Sequence, residues 1–565
     1  MSAAVGRVLG TLDAMPLEFW VGVAEGQYLQ LDDVVLVETP LPDARVIRLY
    51  GVVDLVRARH EGAKFDSDVF LIEDGVMPAS VAYAAHVKVT RVEPEVFVPP
   101  RPGQEVKRAA GIDRDQALFF DSMERRLPIG LSRDGEPVYA NLDFLDGSRG
   151  AHINISGISG VATKTTYATF LLKSLFTSGA LGGRAANTHG IIFNVKGEDL
   201  LFLDQPNAGL RPEARVEYAK LGLPVSPFDR VQILAPVRRG SKERLPDTGS
   251  RQAGVSAFFW TLREFVAERL IGFLFAESDD TTSQLSFVID RVAAKLAQQA
   301  AATGTLHDPW IEVDGHRLES FEALVELLTD RGEYGADKSR AEQWSSAAPG
   351  TAAAFERRLM GAAAHVGHLI RGRDVGKREQ HRLDWRRAQT TVIDVHALHD
   401  RAKRFVVGAT LKRMFEEKES LGTAEPLVFV VLDELNKYAP REGHGPIKEV
   451  LLDISERGRS LGIILIGAEQ TASEVEGRIV ANAALRVVGR LDLAEAERPE
   501  YGFLTSAGRA RAGILKPGTM IVQQPEIPTP LLVRFPFPAW ATRKSEAGPR
   551  AKTEAEVFKG FSEED

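Results

Sequence analysis

The sequence predicts an α/β chain: a parallel sheet covered by helices on both faces, broken by a helical insert and preceded by a small β-barrel. Three observations carry this. Residues 1–100 alternate Val, Ile and Leu with polar residues in short segments such as YLQLDDVVLVETP and AAHVKVTRV, the period of half-buried strands in a small closed sheet. Further on, GIIFNVKGEDL (190–200), TTVIDVHAL (390–398), PLVFVVLDELN (426–436) and LGIILIGAEQ (461–470) are continuous apolar runs, as expected of strands buried on both faces. Between the first and second of these runs, residues 205–385 read as helical, with VSAFFWTLREFVAERLIGFLF and SQLSFVIDRVAAKLAQQ as the strongest segments.

The expected division is therefore a barrel over 1–100, a linker and the first part of the sheet domain over 101–204, the insert over 205–385 and the second part over 386–542. VFVPPRPGQEV is Pro-rich and extended, and reads as the way out of the barrel. The tail, 543–565, is polar and expected to be flexible. A length of 565 residues suits two or three domains, and 44% apolar with 26% charged residues is a globular rather than a disordered composition.

With no cysteine, disulfides, thiolate zinc sites and cysteine nucleophiles are excluded, and a reducing compartment is suited. The N-terminus lacks the basic-then-apolar pattern of a signal peptide, and no apolar run reaches the ~20 residues of a membrane span. A cytoplasmic protein without membrane contact is expected. The net charge of −8 announces no nucleic-acid binder, although a local basic surface would suffice for one.

The chemistry concentrates first in HINISGISGVATKTTYATFLLKSLF (152–176). A short apolar strand, a Gly/Ser-rich turn, Lys164-Thr165 and an amphipathic helix follow one another in the order of a phosphate-binding loop. In such a loop glycines let the backbone wrap phosphate, the helix N-terminus offers free N–H groups, and the lysine and hydroxyl meet the phosphates and Mg²⁺. The candidate nucleotide-binding residues are Gly157, Ser159, Gly160, Val161, Ala162, Thr163, Lys164, Thr165 and Thr166. The spacing departs from G-x-x-x-x-G-K-[ST]. Thr163 replaces the glycine before the lysine, and one residue is added between Gly160 and Lys164. A β-branched residue resists the conformation that glycine permits there, and a longer loop relieves the conflict.

The second element is Phe429-Val430-Val431-Leu432-Asp433-Glu434, four apolar residues ending in two carboxylates. In phosphate-loop NTPases the first acid holds Mg²⁺ and the second polarises the attacking water. Ligands of open α/β sheets bind beyond the C-terminal strand ends, where this pattern puts both acids. Asp433 and Thr165 are thus the candidate Mg²⁺ ligands, and Glu434 and Lys164 the leading catalytic residues. Because Lys164, Asp433 and Glu434 are all retained, the site reads as active with an altered loop.

Gln470, ending the next apolar strand, has two readings: a hydrogen bond to the γ-phosphate or attacking water, or a cap on the following helix. Arg457 and Arg459, in SERGRS, are candidates for an arginine reaching a neighbour's site, with Arg486 and Arg490 as rivals; a solvated or ion-paired role is the alternative for each. His365 and His368 are spaced to share a helix face, but no nearby acids complete a metal site, and a surface or packing role is the favoured reading. His396 and His399 follow the strand at Thr390. Residues 371–387, RGRDVGKREQHRLDWRR, carry seven Lys/Arg against three Asp/Glu; they form either a phosphate-contacting patch or an internal ion-pair cluster.

Taken together, these motifs resemble the HerA-like hexameric ATPases and translocases related to the FtsK DNA pumps, over nearly the whole chain. The β-rich N-terminus is similar to their HAS-barrel, and LPIGLSRDGEPVYANLDFL (127–145) to the segment before their phosphate loop. IIFNVKGEDL matches a strand ending in a "GE" pair, here Gly197 and Glu198. VVLDELNKYAP is close to LDE-A-H-x-Y-x-P, departing at Asn436 and Lys437. ERGRSLGIILIGAEQTASEV matches at Arg459 and Gln470, with Ala472 in place of proline, and LKPGTMIV matches a late turn and strand.

The resemblance implies a RecA-like phosphate-loop ATPase domain that uses ATP and Mg²⁺. It further implies a homo-oligomer, a hexameric ring threading double-stranded DNA, and an effector protein as partner, either a nuclease or, in antiphage defence, a Sir2-like NADase. An ATP-binding scaffold that activates such an effector with little DNA translocation is the competing expectation, and a catalytically dead structural ATPase is the third.

Overall fold

The computed structural model describes residues 4–158, 160, 164–275, 284–305, 307–330, 338–377 and 381–548. The chain forms two compact units, one made of Met1–Leu142, Gly157–Thr163 and Ala484–Phe535, the other of Asp143–Ser156, Lys164–Ala483 and Pro536–Asp565.

The first unit opens with a closed antiparallel barrel in the order β1-β2-β5-β4-β3-β6. Its strands are β1 (Ala4–Val8), β2 (Glu18–Val23), β3 (Val34–Pro40), β4 (Val46–Glu61), β5 (Ser80–Glu93) and β6 (Glu105–Arg108). Alternation puts Val5, Phe19, Val21, Val35, Val37, Val53, Val87 and Val106 into one buried core. The sixth strand lies past residue 100, where the sequence reads as a linker. EVKR offers one apolar residue, Val106, and its place is fixed by pairing with β1 and β3 rather than by composition. The same unit holds β7 (Arg126–Leu131) and β8 (Pro137–Asn141), which pair antiparallel. It also holds β20 (Leu485–Val488), β21 (Thr519–Gln524) and β22 (Ile527–Arg534). These five strands run β20-β21-β22-β7-β8.

The second unit is built on seven parallel strands: β9 (Ile153–Ser156), β10 (Thr188–Asn194), β11 (Val231–Pro236), β12 (Val255–Phe258), β17 (Thr390–Asp394), β18 (Leu427–Asp433) and β19 (Ile463–Glu469). Their order is β12-β11-β17-β10-β18-β19-β9, and every residue of β9, β17, β18 and β19 is buried. One strand, β19, separates β9 from β18, which carries the acids, in keeping with a RecA-like sheet. Two short pairs complete the strands: β13 (Trp260–Thr261) with β16 (Ile370–Arg371), and the hairpin of β14 (Ile311–Val313) and β15 (His316–Leu318).

The insert is not wholly helical, since β11 and β12 come from within 205–385. VSAFFWTLREFVAERLIGFLF becomes β12, β13, a helix over Leu262–Ala267 and a 3₁₀ segment over Leu270–Phe275. Its first residues are β-branched and aromatic, which favours a strand. The helix starts where a capping box begins: the Thr261 side chain accepts from Glu264 N and the Glu264 carboxylate from Thr261 N. The stretch SQLSFVIDRVAAKLAQQ does form a helix, Gln284–Ala302. At the other end of the chain, Arg543 pairs with Asp199 and Ala547 bridges to Asn207, while tail residues 549–565 lie outside the described residues.

Candidate nucleotide site

β9 delivers the loop. His152 precedes it with φ 66° and is buried, its Nδ1 accepting from Leu465 N at 3.0 Å and its Nε2 donating to Ser455 O at 3.2 Å. One imidazole thus fixes the strand start against β19 and the helix Pro446–Leu461. Burial outweighs the Ser455 bond and lowers its pKa to about 4, so it is neutral at pH 7. Beyond Ser156, Ile158 N donates to Arg490 O at 2.7 Å, and Gly160 adopts φ +83°, a conformation suited to glycine. Ser159, Val161, Ala162 and Thr163, which include the departure from the usual spacing, lie outside the described residues.

The helix Lys164–Thr177 begins at the expected lysine. Lys164 is 4% exposed, and burial lowers its pKa against the opposing pull of Asp433, Glu469 and Glu434. Thr165 Oγ1 donates to Asp433 Oδ2 at 3.1 Å, joining the end of the loop to the acid strand. Thr166 is half-buried in the same first turn, and its carbonyl accepts from Thr169 Oγ1 at 2.9 Å.

Pairing of Asn194 with Asp394, of Phe193 with Leu432 and of Asp433 with Ala468 puts Asp394, Asn194, Asp433 and Ala468 in one row at the C-terminal strand ends. Glu469, fully buried, follows beside Ser156. Asp433 Oδ1 accepts from Glu434 N at 2.8 Å as the chain turns sharply, with Glu434 at φ 57°, ψ 41°. Two ammonium groups meet Glu434: Lys196 Nζ at 3.1 Å and Lys437 Nζ at 2.8 Å, and Lys196 also lies 3.5 Å from Asp433 Oδ2. Burial raises the Glu434 pKa, but the bonds from Lys437 and Lys196 outweigh it and hold the carboxyl below its ordinary value.

Asn194 Nδ2 donates to Asp394 Oδ1 and to Gly197 O, each at 2.9 Å. His396 Nδ1 donates to Asp394 Oδ1 at 2.8 Å, and this bond raises the His396 pKa. The Glu198 carboxylate accepts from Ser250 N at 2.8 Å through both oxygens. Lys196 and Glu469 were not singled out in the sequence. The position of Lys196 between an apolar strand and the Gly197-Glu198 pair was the available signal for the first.

Thr165, Asp433 and Glu434 offer hard oxygen atoms at one place. Mg²⁺ keeps several waters and needs only one or two protein oxygens, so the donor set fits it. Gln470 is exposed just past β19. Arg459 donates to Gly147 O at 3.1 Å and Ser148 O at 2.8 Å, and Arg457 pairs with Glu419. Both arginines therefore bond within their own chain. Arg486 lies over the Phe503 ring at 6.0 Å.

His365 stacks on His399 at 3.7 Å, and His368 is lowered to about 4 by burial. Among the described residues no group of three or more His, Cys, Asp or Glu could hold a metal ion. In the basic run, Arg382 and Arg386 pair with Glu417 at 3.0 and 3.5 Å, Arg387 pairs with Asp384 at 3.4 Å, and Trp385 is buried. Three cations of that run are thus ion-paired. Among the described residues no helix is long and apolar enough to cross a membrane.

A lysine, a hydroxyl and two acids thus meet at the strand ends of a parallel sheet. No protein-family model matches the sequence, and comparison with curated proteins finds no relative. Among solved structures, the chain is similar to the plasmid coupling protein TrwB in complex with the non-hydrolysable ATP analogue ADPNP, at 15% identity and TM-score 0.47, over 76% of this chain and 94% of that one. A TrwB complex with ADP and Mg²⁺ matches at 14% identity and TM-score 0.46, over 77% and 95%. VirB4 of Thermoanaerobacter pseudethanolicus matches at 16% identity and TM-score 0.44, over 73% and 96%.

Proposed function

We propose that this chain is a Mg²⁺-dependent ATPase working as a HerA-like ring motor on double-stranded DNA, together with a nuclease or other effector. The observation that carries the ATPase reading is the 3.1 Å bond from Thr165 to Asp433, with Lys164 and Glu434 beside it. Lys164, buried at the head of the helix, is the group that would meet the phosphates. Thr165 and Asp433 would hold Mg²⁺, which would supply positive charge to offset that of the phosphate oxygens. Glu434, kept anionic by its lysines, accepts a hydrogen bond from the attacking water and orients it. Gln470, exposed just past the end of β19, is the candidate for a further hydrogen bond to the γ-phosphate or the attacking water.

Hydrolysis of ATP by the purified chain is the test. Lys164→Ala and Glu434→Gln are expected to lower turnover at least about a hundredfold, with ADP binding retained in Glu434→Gln. Turnover that survives both changes would end the reading. A second reading, an ATP-binding scaffold that assembles and activates an effector, is favoured by two observations: Arg457 and Arg459 are engaged within their own chain, and Arg382, Arg386 and Arg387 of the basic run are already ion-paired. Stimulation by double-stranded DNA at low salt distinguishes them, since the motor requires it and the scaffold does not.

A further inference from the structure

Lys196 sits where a divalent cation would have to compete with it. Its backbone is pinned on both sides. Lys403 Nζ donates to Val195 O at 3.3 Å, Asn194 Nδ2 to Gly197 O at 2.9 Å, and Ser250 N to both oxygens of Glu198. This clamp aims the ammonium at the gap between the acids, 3.1 Å from Glu434 Oε1 and 3.5 Å from Asp433 Oδ2. Asp433 Oδ2 is also the oxygen that accepts from Thr165 Oγ1. One carboxylate oxygen is thus shared by a lysine and by the hydroxyl expected at Mg²⁺.

Two further facts make Lys196 displaceable. Its side chain is 40% exposed on a flexible four-carbon stem, so withdrawal into water is open to it. Glu434 has a second cation, Lys437, that does not share Asp433, so it would not be left wholly unpaired.

We propose that Lys196 is a latch on the two acids: it pairs Asp433 and Glu434 until a divalent cation binds, and its displacement frees Glu434 Oε1 to engage water while Lys437 stays on Oε2. Resting on the ATPase reading, this assigns a positioning residue and explains how nucleotide-bound metal would switch on the water-orienting carboxylate. An ammonium a few ångströms from a divalent cation repels it even at the dielectric of water, so removal of that charge should tighten metal binding about tenfold.

Mn²⁺, visible by electron paramagnetic resonance, serves as the probe on the full chain, titrated with and without ADP. Lys196→Met is expected to bind Mn²⁺ about tenfold more tightly than the unaltered chain in both conditions. Lys196→Arg, which keeps the charge, should stay within about twofold of it, and Lys437→Met should gain less than Lys196→Met. Unchanged or weaker Mn²⁺ binding by Lys196→Met would overturn the latch, as would an equal gain in Lys196→Arg. Failure of ADP to strengthen Mn²⁺ binding in the unaltered chain would instead count against the nucleotide site. The nucleotide-free comparison of Lys196→Met with the unaltered chain decides the latch either way.

Discussion

His152 is 3% exposed and neutral, and it bonds β19 through one ring nitrogen and the helix Pro446–Leu461 through the other. Its folded-state pKa lies near 4 against an ordinary 6.5, so between these values the unfolded chain binds a proton that the folded chain refuses. Stability is therefore full above pH 6.5 and falls as pH drops toward 4, by about 2–3 kcal/mol from this residue. Urea denaturation across that range should show the decline, and His152→Gln, less stable at pH 7, should show a shallower one. At this scale the sequence was partly legible. Lys164, Thr165, Asp433 and Glu434 announce themselves because their chemistry is tied to local order along the chain. Glu469 and Asp394 do not, because they join the site through strand register, and pairing across a sheet leaves no mark on neighbouring residues; Lys196, just past β10, was marked only by its place before the Gly197-Glu198 pair.

Among the elements, the helix Pro446–Leu461 ends at Gly462, which has φ +67° and faces the Ala424 carbonyl. A Cβ there would meet both a left-handed conformation and backbone it cannot move. Gly462→Ala is expected to destabilise the second unit by about 3 kcal/mol or more, read as a lower urea midpoint. The same scale shows where periodicity misleads. FFWTLREF contains enough spaced apolar residues to pass for one helix, yet the capping box at Thr261 and Glu264 starts the helix only at Leu262. That T-x-x-E signal was present in the sequence. Strand Glu105–Arg108 had no comparable signal, because four residues with one core valine specify a strand only through their neighbours β1 and β3.

At the scale of the molecule, the proposed ring makes a direct prediction. Sedimentation with Mg²⁺ and ADP should give a species of six chains, and a monomer at every concentration would remove the ring from the proposal. The α/β class and the barrel were both legible, because buried parallel strands and alternating barrel strands differ in period. The sheet's width was not, since β11 and β12 lie inside a stretch dominated by helices. That placement bears on how this chain can be cut. With 205–385 excised, the inner strand β17 would lose its neighbour β11 and become the rim of the sheet, with five buried apolar and polar residues newly offered to any passing strand. A trimmed chain would thus self-associate through that raw border. The insert is sewn into the sheet of the second unit, and a deletion that respects the fold has to start after Phe258.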